Sequence, residues 1–203
     1  MRLLLVRHAP ADWPEGEPRY RGWSDAPLGE RGLREARLLA ERLATEGVEA
    51  LYSSDLLRAS QTAREVSSRL GVPPRLRRGL RELCFGDWEG LSHREILRRD
   101  PGRYRRWLAD PFGTAPPGGE SAAGCLRRAR EVLEEVRGRC PAGTAALISH
   151  GGTLRLLLCH LLGMPPENHP RLRLDHCGIT TVDWGPVPVL AGMNDLSHLG
   201  CPR

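Results

Sequence analysis

Leu3-Leu4-Leu5-Val6-Arg7-His8 is a run of four apolar residues that ends abruptly in Arg-His. A short apolar run of this kind reads as a strand buried on both faces. An arginine and a histidine at its end sit at the mouth of the sheet. That position is costly for polar groups unless they hold something. In α/β folds the ligand site lies at the carboxyl ends of the strands. Arg7-His8 therefore reads as half of an anion site.

Outward from this strand, apolar strands alternate with helical periodicities. Leu33, Ala36, Leu39, Ala40 and Leu43 predict a helix over about 30–45, and Gly47 stops it. A strand is expected at 50–53 and a helix at 56–70, closed by Gly71. A further strand falls near 75–77, in an otherwise irregular stretch from 73 to 90. A long helix is predicted over 121–137, a strand over 144–149 and a helix over 153–162. Closing strands fit 179–182 and 187–190. The pattern predicts a three-layer α/β/α fold with a mostly parallel central sheet. The chain reads as a single domain over 1–203. Residues 91–120 look like an insertion over one face, a candidate lid.

The 203 residues suit one domain with a substantial core. All 30 basic residues are arginine, and the formal net charge is +5. The absence of lysine excludes a lysine Schiff base and a Gly-Lys-Ser/Thr phosphate loop. The mild basic excess is compatible with an anionic ligand without demanding one. No apolar run approaches the ~18 residues of a membrane span. Six cysteines, at 84, 125, 140, 159, 177 and 201, form no Cys-x-x-Cys pair and fit no zinc template. They read as free thiols of a cytoplasmic protein. His160, His169, His176 and His198 lack tight ligand spacing, so no metal and no cofactor is implied. The arginines at 98–99 and 103–106 read as a solvated face rather than a nucleic-acid site. No nucleic acid or membrane is expected as a partner, and a homodimer is left open.

The second half of the site is Ile148-Ser149-His150-Gly151-Gly152-Thr153. Another buried strand ends in a histidine and passes to a helix through two glycines. Glycine lets backbone approach a ligand closely, and a helix N-terminus favours an anion. A third junction, Ser53-Ser54-Asp55-Leu56-Leu57-Arg58, places an arginine in a first helical turn. Arg7 and Arg58 could clamp phosphate oxygens as bidentate donors. The loop Arg81-Glu82-Leu83-Cys84-Phe85-Gly86-Asp87-Trp88-Glu89 supplies acids. The plain reading of each piece is structural: a core histidine, a solvated arginine, an ordinary ion pair for Glu82. Three such pieces, each at a strand-to-helix junction, favour the functional reading.

Together with Gly22-Trp23-Ser24-Asp25-Ala26-Pro27-Leu28, Ala59-Ser60-Gln61-Thr62-Ala63 and Pro117-Gly118-Gly119-Glu120-Ser121, these stretches resemble the histidine phosphatase, or phosphoglycerate mutase-like, superfamily over nearly the whole chain. The resemblance implies a phosphomonoester hydrolase that uses no metal. His8 would become a phosphohistidine. Arg7, Arg58 and His150 would bind the phosphoryl group, and Glu82 would give and take the proton. Asp87 and Glu89 are rival donors. The Glu82 loop resembles the phosphatase branch, α-ribazole phosphatase among it, so a small phosphate ester is the expected partner and α-ribazole phosphate one candidate. A cofactor-dependent phosphoglycerate mutase and a non-catalytic phosphate or protein binder are the alternatives.

The stretch after His8 departs from the family pattern. Ala9-Pro10-Ala11-Asp12-Trp13-Pro14 lacks side chains that often donate to phosphate. Ser53, Arg21 and the Gly151 amide are the candidate substitutes.

Overall fold

The structure is a computed structural model that describes residues 1–14 and 16–200. Six strands form one sheet in the order β3-β2-β4-β1-β5-β6. They are β1 (Arg2–Arg7), β2 (Val48–Ser53), β3 (Pro74–Leu76), β4 (Thr144–Ser149), β5 (Ile179–Trp184) and β6 (Pro188–Asp195). Only β5 runs against the others, pairing antiparallel with both β1 and β6. The mostly parallel sheet expected from the alternation is thus present.

The apolar run at the start explains the layering. Leu3 and Leu5 pack on one face of the sheet, Leu4 and Val6 on the other. β4 divides likewise, with Ala145 and Leu147 opposite Ala146 and Ile148. Period-two side chains with no polar position demand helices on both sides. One face is covered by α1 (Glu30–Leu43) and α2 (Leu57–Leu70), through Ala36, Leu39, Leu43, Ala63 and Val66. The other is covered by α5 (Ala122–Arg139) and α6 (Gly151–Leu161), through Ala129, Leu133, Leu154 and Leu158.

Residues 91–120 form two short helices, α3 (His93–Arg99) and α4 (Pro101–Ala109). Ser92 and Glu95 make a reciprocal capping box at the first, and Asp100 caps the second ahead of Pro101. Both rest on an aromatic cluster of Trp88, Tyr104, Trp107, Tyr20 and Phe85. Trp88 belongs to this cluster as a buried side chain. The arginines at 98, 99, 103, 105 and 106 are all exposed. No helix among the described residues is long and apolar enough to cross a membrane.

Several element ends differ from expectation, and two of them matter here. α6 starts at Gly151 rather than Thr153, because both glycines take helical conformation behind His150 as N-cap. The final hairpin is longer than its apolar letters suggest. β6 runs through Gly192 and Asn194 to Asp195, with register shifts against β5 at Thr181. Five cysteines are free thiols, and Cys201 lies outside the described residues.

Candidate active site

β1 and β4 are adjacent, parallel and in register, with Arg7 opposite Ser149. The next residue of each is a histidine. His8 and His150 therefore leave the sheet side by side, with ring centroids 4.9 Å apart. Both are buried, 5% and 1% exposed. Burial pushes both imidazoles well below the ordinary histidine range. His176 and Arg58 add to this at His8, and His8 and Arg58 add to it at His150.

The His8 ring has a defined tautomer. Its Nδ1 lies 2.7 Å from the Ala9 carbonyl, which can only accept. Nδ1 therefore carries the proton and Nε2 the lone pair. His150 meets the Ser54 hydroxyl at Nε2, 2.9 Å, while its buried Nδ1 has no hydrogen-bond partner among the described residues. Buried Arg7 Nε likewise has none. Two orphaned polar atoms beside the His8 ring are what an incoming oxyanion would satisfy.

The guanidinium groups are held by backbone. Arg58, 2% exposed, donates to the carbonyls of Ser24 and Gly22 at 2.8 and 2.7 Å, and Asp25 lies 3.7 Å away. Asp25 also accepts the Leu57 amide and so caps α2. Arg7 donates to the Leu174 carbonyl at 2.8 Å and to His176 Nε2 at 3.1 Å.

Glu82 sits at the start of α6. Its carboxylate accepts from the amides of Gly152, Thr153 and Leu83, at 2.9, 3.0 and 3.0 Å. A β-carbon at Gly152 would fall 2.5 Å from Glu82 Oε1 and 2.6 Å from Leu83 Cδ1, so any other residue there must push the Glu82 carboxylate and the Leu83 side chain aside. The Glu82 carbonyl is fixed by Trp23 Nε1 and by Arg128. Arg128 is in turn paired with Glu120, which also accepts the Cys84 amide. The Pro117–Ser121 motif thus serves to hold the Glu82 loop.

The rival acids lie elsewhere. Glu89 accepts the amides of Gly22, Trp23, Ser24 and Phe85 and the Ser24 hydroxyl. It organises the loop that clamps Arg58. Asp87 is exposed.

The candidate substitutes for the missing phosphate donors take different places. The Ser53 hydroxyl donates to the Ser54 carbonyl, and it is Ser54 that reaches His150. Arg21 stacks over Trp13 at 4.5 Å and approaches the Pro14 carbonyl. Gly151 faces Arg7, with room for no more than a β-carbon at ordinary contact distance between them. His176 is a residue that spacing along the chain did not single out. Its ring centroid is 4.9 Å from that of His8, and it holds Arg7. Among the described residues no group of three or more His, Cys, Asp or Glu side chains is arranged to hold a metal ion.

A cavity of about 390 Å³ opens beside this cluster and shares Glu82 and Gly152 with it. Tyr20, Phe85, Trp107 and Leu108 form much of its wall, the last two from α4.

Residues 3–195 match the family described as the histidine phosphatase superfamily, branch 1. A phosphoserine phosphatase 1 of Hydrogenobacter thermophilus is 37% identical over 202 residues, covering 98% of this chain and 95% of that protein. A probable phosphoglycerate mutase of Yersinia enterocolitica is 34% identical, covering 100% and 96%. Among solved structures, the α-ribazole phosphatase of Shigella flexneri superposes with a TM-score of 0.86 at 29% identity, covering 96% of each chain.

Proposed function

The chain belongs to the histidine phosphatase superfamily, branch 1, and is a phosphatase of that superfamily; we propose that it hydrolyses a small phosphate monoester through a phosphohistidine on His8, without a metal ion. The observation that carries this reading is the tautomer of His8. With Nδ1–H donated to Ala9, the Nε2 lone pair is the free nucleophile of a ring kept neutral by burial beside arginines.

In the first step Nε2 bonds to phosphorus and the ester P–O bond breaks. Glu82 gives a proton to the leaving alcohol oxygen. Arg7 and Arg58 neutralise the equatorial oxygens as charge spreads over them, and neutral His150 donates a hydrogen bond to one of them through Nδ1. In the second step a water oxygen bonds to phosphorus, Glu82 takes its proton, the P–Nε2 bond breaks with its pair returned to His8, and inorganic phosphate leaves. The α3–α4 insertion is the lid of this site, since Trp107 and Leu108 reach the cavity wall from it. Free thiols accord with a cytoplasmic setting.

The names of the relatives offer phosphoserine and α-ribazole phosphate as substrates to try. The mutase relative keeps phosphoryl return to phosphoglycerate as the second reading. Incubation with ³²P-labelled ester in metal-free buffer, followed by alkaline gel analysis, tests the proposal. A labelled wild-type protein, an unlabelled and inactive His8→Ala variant, and phosphate as product are expected. Turnover by His8→Ala would remove His8 as nucleophile. Mutase turnover in the presence of a bisphosphate primer that exceeds phosphate release would replace hydrolysis.

A further inference from the structure

Arg155 lies on α6 one turn beyond Gly151, in the wall of the 390 Å³ cavity. Its Nε donates to the Gly151 carbonyl at 2.9 Å, which holds the guanidinium against the first turn of the helix. No carboxylate among the described residues pairs with it, although the protein pairs many of its other arginines. Among the described residues Glu82 and Arg155 are the only charged side chains in the lining, and Tyr20, Phe85 and Trp107 make much of the rest apolar. His169, also in the wall, is buried, and burial lowers it from the ordinary histidine range. It directs Nδ1–H to the Pro166 carbonyl at 3.0 Å, which leaves Nε2 as an acceptor.

We propose that Arg155 is a specificity residue that binds a carboxylate on the alcohol part of the phosphate ester, which places the substrate among phosphorylated hydroxy acids. The proposal rests on the hydrolase reading above and deepens it. Glu82 marks where the leaving oxygen must lie, and the cavity that continues from it receives the alcohol. A guanidinium held at the Gly151 carbonyl, on the same first turn whose amides hold Glu82, meets a group only a few bonds from that oxygen. Its planar fork matches a carboxylate bidentately. One cation against one anion fits a carboxylate better than a second, dianionic phosphate, which would also face Glu82. His169 Nε2 would accept from a neighbouring hydroxyl or ammonium of the same alcohol. The aromatic wall covers the remainder.

3-Phosphoglycerate and glycerol 3-phosphate differ only in carboxylate against hydroxymethyl, and phosphate release from each gives the test. The wild type should favour 3-phosphoglycerate about tenfold or more in kcat/KM, the scale of one charge-assisted contact. Arg155→Met should bring that ratio close to one, mainly through KM, and Arg155→Lys should restore part of it. A wild-type ratio of one or below overturns the proposal. So does an equal loss on both esters in Arg155→Met, which would assign Arg155 to the phosphoryl group. Should the methionine variant not fold, the wild-type ratio and the lysine variant decide. Failure of the hydrolase reading would look different: no phosphate would be released from either ester or from p-nitrophenyl phosphate.

Discussion

His176 braces Arg7 across the mouth of the sheet. Its Nδ1 donates to the His8 carbonyl at 2.8 Å, and its Nε2 accepts from Arg7 Nη2 at 3.1 Å. Both bonds exist together only in the neutral imidazole. Burial and the Arg7 charge lower its pKa to about 4.

Stability should therefore fall as the solution is acidified from about pH 6.5 toward 4. In that window the unfolded chain binds protons at histidines that folded His176, His8 and His150 refuse. The unfolded state binds more protons, so stability rises with pH. For His176 alone the loss approaches about 3 kcal/mol. Thermal melts between pH 7.5 and 4.5 should show a steady drop in Tm, shallower in His176→Asn. A flat profile would contradict the buried neutral histidines.

Glu82→Gln should separate substrates by leaving group. An alkyl ester needs a proton on its departing oxygen and should lose about 10²–10⁴ in kcat. p-Nitrophenyl phosphate, which leaves as a stable anion, should lose far less. Equal losses on both would return Glu82 to the role of a helix cap.

Glu89→Gln tests the loop behind Arg58. The substitution turns one of two accepting oxygens into a donor facing amides already aimed at it. A cost of about 2–3 kcal/mol in stability is expected, with a raised KM because Gly22 and Ser24 no longer hold Arg58. Unchanged KM with lowered Tm would confine Glu89 to the fold.

The two glycines after His150 should respond differently to alanine. At Gly151 the new β-carbon meets Arg7 atoms at 3.5 Å or more, while at Gly152 it meets Glu82 at 2.5 Å. Gly152→Ala should cost about 1–3 kcal/mol and most of the activity, and Gly151→Ala much less. Comparable melts and rates for the two would refute the close packing of Glu82 on α6.

The parts of the site that sequence could show are those tied to local pattern. His8, His150 and Arg58 each stand at a strand end or helix start, where periodicity breaks on a polar residue. His176 gives no such sign. It follows the loop after Arg171 and meets His8 168 positions away, so only the folded chain brings them together. The choice between Ser53 and Ser54 depends on how β2 turns after its last pair, which composition does not encode. The cavity depends on α4 lying over the Glu82 loop, a contact between Trp107 and Phe85 far apart in the chain. Arg155 looks, in sequence, like any polar position on an otherwise apolar helix.

The pairing of Arg7 with Ser149 has a consequence for how this protein can change. Side chains alternate along a strand, so a slip of one residue between β1 and β4 would exchange the sheet's two faces. It would also part the two imidazoles by a residue. Lengthening either strand is therefore closed to variation. The opposite rim, where the turn at Pro141 to Gly143 enters β4, carries no such bond to the chemistry. Insertions and fusions belong there, since that edge can be rewritten while the edge that carries His8 and His150 stays untouched.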